Sequence, residues 1–156
     1  MARRARRTPD RVAVIDAEGR LTYAQMNDRV TRLAHGLRGL DIGRGDRVAY
    51  LGPNHPAFLE TLFAAGTLGA IGVPLNTRLA APELARHLAD SGSRALICGA
   101  GQAGKVAALR EAVPALSDVI PLEEPADGEL GYAALLAACG RPTVPAEPDT
   151  CAGMRR

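Results

Sequence analysis

The sequence predicts an α/β protein with a mostly parallel sheet and helices on both faces. Short apolar runs such as VAYL (48–51) and ALIC (95–98) alternate with helical patterns along the chain, the order expected of βαβ units. The length of 156 residues matches one domain on a prior of roughly 150. Hydrophobic residues make up 47% and charged residues 23%, the balance of a globular domain with a core. With only three Tyr, two Phe and no Trp, that core must be built from Leu, Val, Ile and Ala.

Taken in order, residues 1–7 read as a basic flexible tail, because Arg3, Arg4, Arg6 and Arg7 crowd them. Setting those four charges aside turns the net +2 into −2 for the rest. A nearly neutral body lacks the basic stripe of a nucleic-acid groove, so no nucleic-acid partner is expected. The tail reads as solvated, with a nucleic-acid arm or a targeting segment as the sharper alternatives. No apolar segment follows the arginines and Asp10 ends the acid-free stretch, unlike a secretory signal or a transit peptide. No run approaches the ~18 apolar residues of a membrane span.

Residues 8–140 form the α/β body. Ala13–Ile15 reads as a strand and 16–19 (DAEG) as a turn. Leu21 and Thr22 then open a helix, with Thr22 and Gln25 as a T-x-x-Q capping box and Leu21 against Met26 as a hydrophobic staple. Met26, Val30, Leu33, Leu37 and Leu40 step by four and three, one apolar helix face. Asp28, Arg29, Thr31, Arg32 and His35 lie opposite and read as solvated. Gly43, Gly45 and Asp46 break the chain before a strand at Val48–Leu51. After the turn GPNHP (52–56), residues 57–68 are apolar nearly all round, the pattern of a buried helix. A strand at Ala70–Leu75 precedes a helix from about Pro82, a residue suited to a first helical turn. A strand at Ala95–Cys98, a helix at Lys105–Ala112, a strand at Val119–Leu122 and a helix at Leu130–Ala138 complete the body. Residues 141–156 read as a connector rich in proline (Pro142, Pro145, Pro148) leading into a truncated strand.

Cys98, Cys139 and Cys151 are odd in number and form no C-x-x-C pair, which fits a reducing cytoplasm rather than a disulfide framework or a zinc site. His35, His55 and His87 lack metal-ligand spacing and read as capping or surface residues.

One motif raises a nucleotide. Gly99, Gly101 and Gly104 have the spacing G-x-G-x-x-G between a strand and a helix, and Glu123 lies 19 residues beyond Gly104, where a ribose-binding acid belongs. Against this stand its position after three α/β elements and the short continuation behind it. The 17 glycines also make loose patterns cheap. The phosphate-loop reading fails because Lys105 is followed by Val106 and not by the Ser or Thr that ligates Mg²⁺. A dinucleotide binder through Gly99, Gly101 and Gly104 stays as a lesser alternative to a plain βα turn.

Residues 8–152 resemble the N-terminal part of the AMP-forming acyl-CoA synthetases, the adenylate-forming ligase family. The matching elements are TPD-x-x-A from Thr8, Leu21-Thr22-Tyr23 before a helix, G-x-G-D-x-V from Gly43, P-N-x-x-x-F-L from Pro53, and GAIGVPLNTRL at Gly69–Leu79. The resemblance implies the first subdomain of the family's N-terminal domain, in which the GAGQAG region is a variable loop that binds no nucleotide. It also implies an enzyme class that joins a carboxylic acid, taken here as a fatty acid, to CoA through an acyl-adenylate, with ATP consumed to AMP and pyrophosphate. Such chemistry needs groups that neutralise phosphates, and Mg²⁺.

In the family those groups come from a Ser/Thr/Gly/Lys-rich loop, a later acid and a C-terminal lysine, all beyond residue 156. No catalytic, cofactor-binding or metal residue is therefore assigned. No cofactor is expected in this fragment, and ATP, Mg²⁺ and CoA are implied for the full-length family. Arg78, a conceivable anion contact, sits in a segment that reads as structural. The leading expectation is an inactive fragment of a synthetase from an interrupted gene. The alternative is a stand-alone interaction module that pairs with a homologue, a separately encoded remainder or a second copy, since an open sheet edge and a missing subdomain leave apolar surface exposed.

Overall fold

Two continuous apolar strands, buried on both sides, set the architecture. The computed structural model describes residues 1–17, 19–99, 101–123, 125 and 130–137. In chain order the elements are α1 (Ala2–Arg7), β1 (Val12–Ile15), β2 (Arg20–Thr22), α2 (Tyr23–Gly39), β3 (Arg47–Leu51), α3 (Pro56–Leu68), β4 (Ile71–Pro74), α4 (Ala81–Ser91), β5 (Ala95–Cys98), α5 (Ala103–Ala112), β6 (Asp118–Pro121) and α6 (Tyr132–Ala137). Strands β3 to β6 form one sheet in the order β4-β3-β5-β6, parallel throughout.

Successive side chains of a strand point to opposite faces. Val48 and Tyr50 of β3, Ala95 and Ile97 of β5 and Ile120 of β6 therefore join one core with α2, α3 and α6. Ala49, Leu51, Leu96, Cys98 and Val119 join a second core with α4 and α5. The α/β architecture with helices on both faces thus stands as expected. The Thr22 box also forms, with Thr22 Oγ1 accepting from Gln25 N and Gln25 Oε1 accepting from Thr22 N.

Several local expectations need correction. The arginine-rich segment 1–7, expected as a tail, holds the helix α1. Six residues form no stable helix alone; here Met1 packs on the first core and the Arg4 guanidinium lies 5.5 Å from the centre of the Tyr23 ring. Residues 20–22 pair antiparallel with β1 before the helix begins, a strand too short to leave a period. Helix α5 starts at Ala103 and so takes in Gly104.

Residues 57–68 are helical, yet the burial is not apolar all round. Glu60 and Thr61 are fully buried, whereas Phe63 is 40% exposed, and Ile71 on the neighbouring β4 is 54% exposed. Helix α3 ends at Gly69 in the left-handed region, φ 72°, where a side chain would be strained.

Among the described residues β4 and β6 are unpaired on their outer sides, the open edge expected, but each edge is blunted. Ile71 N donates to Asp46 O and Leu75 N to Tyr50 O, so alternation along a parallel strand turns Gly72 and Pro74 outward. On the other edge Asp118 N donates to Arg94 O and Leu122 N to Cys98 O, which turns Val119 and Pro121 outward. Proline has no N–H, so each edge strand offers one outward donor, Gly72 or Val119. Proline on an edge strand limits further pairing.

The largest correction concerns Arg29, expected in solvent. Its Nε donates to Glu60 Oε1 at 2.6 Å and its Nη2 to Glu60 Oε2 at 3.3 Å, and Tyr132 Oη donates to Glu60 Oε2. One buried carboxylate thereby ties α2, α3 and α6 together. Helix α6 sits close enough to α2 that a Cβ at Gly36 would lie 2.6 Å from Leu135 Cγ and 2.8 Å from Leu135 O; only glycine leaves that space. Burial, then the Glu60 charge, pushes the Tyr132 hydroxyl far above the ordinary tyrosine value, and the same two causes push Tyr50 up to about 12.

Removing one partner of a buried ion pair strands the other and costs about 3–5 kcal/mol, whereas replacing the whole set by apolar residues can be neutral. Arg29→Ala should therefore lose about 3 kcal/mol, the low end because Arg29 is part-exposed, in urea denaturation followed by circular dichroism. The triple change Arg29→Met, Glu60→Leu, Tyr132→Phe should return close to the wild-type stability. A triple variant as unstable as Arg29→Ala would show that the charge cluster itself holds the helices.

The raised tyrosines give a second expectation. Unfolded, both ionise near 10; above that pH the unfolded chain releases protons that the native chain keeps, so stability falls as pH rises. Each contributes about 1.4 kcal/mol per pH unit, Tyr50 up to about pH 12 and Tyr132 beyond. Denaturation midpoints between pH 9 and 11.5 should decline with roughly half the wild-type slope in Tyr132→Phe, and an unchanged slope would contradict the assignment.

Candidate functional site

In a parallel α/β sheet a ligand crevice forms beyond the carboxyl ends of the strands, where consecutive connections leave a strand in opposite directions. From β3 the chain passes through α3 to β4 on one side, and α4 then carries it back across to β5 on the other. The switch point lies between β3 and β5, and residues 52–55, 99, 101 and 102 border it.

The chain itself fills this crevice. Tyr50 Oη donates to Pro53 O at 3.0 Å, which folds the 52–54 turn over the end of β3. Gly99 N donates to Leu51 O at 2.8 Å, and a Cβ on Gly99 would lie 2.9 Å from Pro53 Cδ and 3.2 Å from Gly52 Cα. The close approach that glycine permits at this position is to the neighbouring turn and not to a pyrophosphate. His55 caps α3, its Nδ1 accepting from Ala57 N at 3.2 Å, in keeping with the capping role expected of it.

The third strand-end segment, 75–79, is held from a distance. Asn76 Oδ1 accepts from Arg78 N at 3.0 Å, and Lys105 Nζ donates to Thr77 O at 2.9 Å and Leu79 O at 3.0 Å. The ammonium that suggested a phosphate ligand is a tie between α5 and this segment. Arg78 is exposed, and so is Glu123. Gly104 has open space around it inside α5. Gln102 Oε1 is buried with no hydrogen-bond partner among the described residues. Beneath α5, an apolar depression of about 330 Å³ is lined by Cys98, Val106, Val119 and the Arg110 side chain among others. At the other ends of the strands Asp46 accepts from Gly43 N at 2.8 Å and from Arg94 Nη1 at 3.3 Å, and the first of these, with Arg94 behind it, holds its carboxyl below the usual range.

Among the described residues no group of three His, Cys, Asp or Glu could hold a metal ion, and no helix is long and apolar enough to cross a membrane. Cys139, Cys151 and the connector 141–156 lie outside the described residues.

Residues 1–154 match the AMP-binding enzyme family. The chain belongs to that family. A feruloyl-CoA synthase of an Amycolatopsis species is 58% identical over 107 residues, covering 69% of this chain and 22% of that protein. The long-chain-fatty-acid–CoA ligase FadD13 of Mycobacterium tuberculosis is 50% identical over 91 residues, 58% of this chain and 18% of its own length. Among solved structures, the N-terminal domain of FACL13 from Mycobacterium tuberculosis superposes with a TM-score of 0.82 at 39% identity, over 93% of this chain and 36% of that one. The AMP-binding segment described here therefore spans about a fifth of the length of these curated relatives.

For an AMP-binding enzyme this segment holds little of the chemistry. Lys105 is its only lysine and binds two carbonyls, and among the described residues no acidic cluster could hold Mg²⁺. The comparisons support neither the dinucleotide reading of Gly99, Gly101 and Gly104 nor a stand-alone interaction module. Sequence reasoning placed the turns at 52–56 and 99–104 but missed the Lys105 tie, because nothing in a linear pattern joins residues 28 apart.

A charged donor lost from part-buried carbonyls costs about 1.5–3 kcal/mol. Lys105→Met should lower stability by about 2 kcal/mol and speed tryptic cleavage after Arg78, read by mass spectrometry of timed digests. Cleavage after Arg78 at the wild-type rate would mean that Lys105 does not hold the segment.

Proposed function

We propose that this chain is the N-terminal scaffold of an acid–thiol ligase, which makes an acyl-CoA from a carboxylic acid, ATP and CoA, and that the scaffold alone does not turn over. The observation that carries the reading is the family match over residues 1–154, together with the tie of Lys105 to two carbonyls and, among the described residues, no acidic cluster that could hold a metal ion. The named relatives act on ferulate and on long-chain fatty acids, so the reading commits to a carboxylic acid and to no chain length. Phosphate neutralisation and acid activation fall to the part of the enzyme outside this segment.

The scaffold has a face for that part. Phe63 on α3 and Ile71 on β4 are exposed apolar side chains; Leu62 lies over Gly72 on the α3 side, whereas Ile71 shares the parity of Val73 and so belongs to the α4 side of the same edge. Exposed apolar side chains along the β4 edge suit a contact with further structure, and the remainder of the ligase is its occupant in this reading.

The test is a pair of assays. The purified chain, given ATP, Mg²⁺, CoA and either ferulate or palmitate, should form no AMP. A chimera carrying this chain in place of the matching segment of the 58%-identical feruloyl-CoA synthase should recover ferulate-dependent pyrophosphate exchange within about tenfold of the parent. AMP formation by the chain alone would overturn its inactivity, and a soluble chimera without exchange would overturn the scaffold role.

A further inference from the structure

Helix α1 presents four arginines on one side. Met1, Ala2 and Ala5 are half-buried, while Arg3, Arg4, Arg6 and Arg7 are exposed, and at 100° per residue the two sets occupy opposite faces. Arg11, also exposed, follows a turn in which its N–H donates to Thr8 O. Five guanidinium groups thus fall within nine residues, with Asp10 the one acid among them. None of the five joins an ion pair among the described residues. Like charges this close repel one another, and the helix persists because it is fastened through its other face and through Arg4. Met1 lies against the core, Arg4 over Tyr23, and Thr8 N donates to Arg4 O at 2.9 Å. The backbone under the positive face is therefore preformed, and a partner has only the arginine side chains left to order.

From this we infer that α1 is a docking face for the anionic surface of a phospholipid bilayer. Clusters of four or more arginines on a helix attract anionic headgroups at about fivefold in affinity per residue. A nucleic acid is the other polyanion to weigh, but it needs basic groups that follow its backbone across the fold, and outside the four helix arginines the chain carries −2. The residues that follow the arginines favour lipid as well. Val12 is 42% and Ile15 67% exposed, and the interfacial region of a bilayer accepts apolar side chains beside arginine. This inference does not rest on the ligase reading, because it concerns where the chain resides and not what it makes.

The experiment is cosedimentation of the full chain with sucrose-loaded vesicles of phosphatidylcholine containing 0 or about 30% phosphatidylglycerol. Binding should require the anionic lipid and should fall at least tenfold between about 0.05 and 0.5 M NaCl, as screening predicts. Arg3→Gln, Arg6→Gln, Arg7→Gln combined should weaken it about a hundredfold, and the matching Lys triple should keep it within about threefold. Arg4 is left in place so that its contact with Tyr23 survives, and circular dichroism should show equal melting for the variants. Equal binding to neutral vesicles, no effect of salt on the wild type, or equal binding by the Gln triple would overturn the inference. Tighter binding to a 20-base-pair DNA duplex than to the anionic vesicles would overturn the choice of lipid.

Discussion

The rest of the structure depends on the two-sided burial of β3 and β5. Strands that alternate apolar and polar residues can leave one face in water, but VAYL and ALIC are apolar at every position and demand cover on both faces. That demand explains why α3 and α4, which follow β3 and β4, must lie on opposite sides of the sheet. A right-handed crossover in one direction puts its helix on one face, and a crossover in the other direction puts it on the opposite face. The order β4-β3-β5-β6 meets the demand with the fewest elements, and the switch point between β3 and β5 follows from it.

The two helical layers are held by different means. Helices α4 and α5 cover their face through leucines, among them Leu84, Leu88 and Leu109. The layer of α2, α3 and α6 has a carboxylate at its centre. Glu60 is fully buried and accepts from two other helices, so its position fixes how α2, α3 and α6 meet. Apolar contacts alone tolerate sliding, since leucine faces offer several near-equal registers. A fork of guanidinium on carboxylate tolerates much less. The polar cluster therefore contributes definition to the layer more than net stability, and Leu135 fitting against Gly36 draws on that definition.

How much of this was legible in the sequence follows from the range of each interaction. The alternation of strands and helices, the Thr22 box and the span 95–98 are local, set by residues within one element, and periodicity reads them well. Arg29 and Glu60 are 31 residues apart, and each taken alone looks like something else: an arginine on a polar helix face, and a single acid in an apolar run. The same holds for Lys105, which beside three glycines resembles a phosphate ligand until its reach to Thr77 and Leu79 is known. Tertiary ties of this kind leave no spacing to detect. The arginines of α1 were misread for a related reason: their charge was visible, whereas the packing of Met1 and Tyr23 that orders them was not. The family resemblance was carried by turn motifs, and here the structure supplies the cause. In G-x-G-D-x-V, Asp46 accepts from Gly43 N and Arg94; in P-N-x-x-x-F-L, Pro53 O takes the Tyr50 hydroxyl.

These same motifs explain why a segment so similar to its relatives can hold so little chemistry. Each of the well-matched turns serves to close a strand end, and the crevice that the topology creates is filled by Pro53, Gly52 and Gly99. A parallel sheet offers its ligand edge only where loops leave room for one, and at β3 and β5 the turns leave little, which supports the proposed scaffold role. The blunted edges point the same way. With one outward donor each, β4 and β6 are poorly suited to extend by main-chain pairing, whereas Phe63 on α3 and Ile71 on β4 stand exposed along the β4 edge. In the proposed scaffold role, contact with further structure runs through side chains at the β4 edge, and the contribution to a reaction is to position that contact rather than to supply a reacting group.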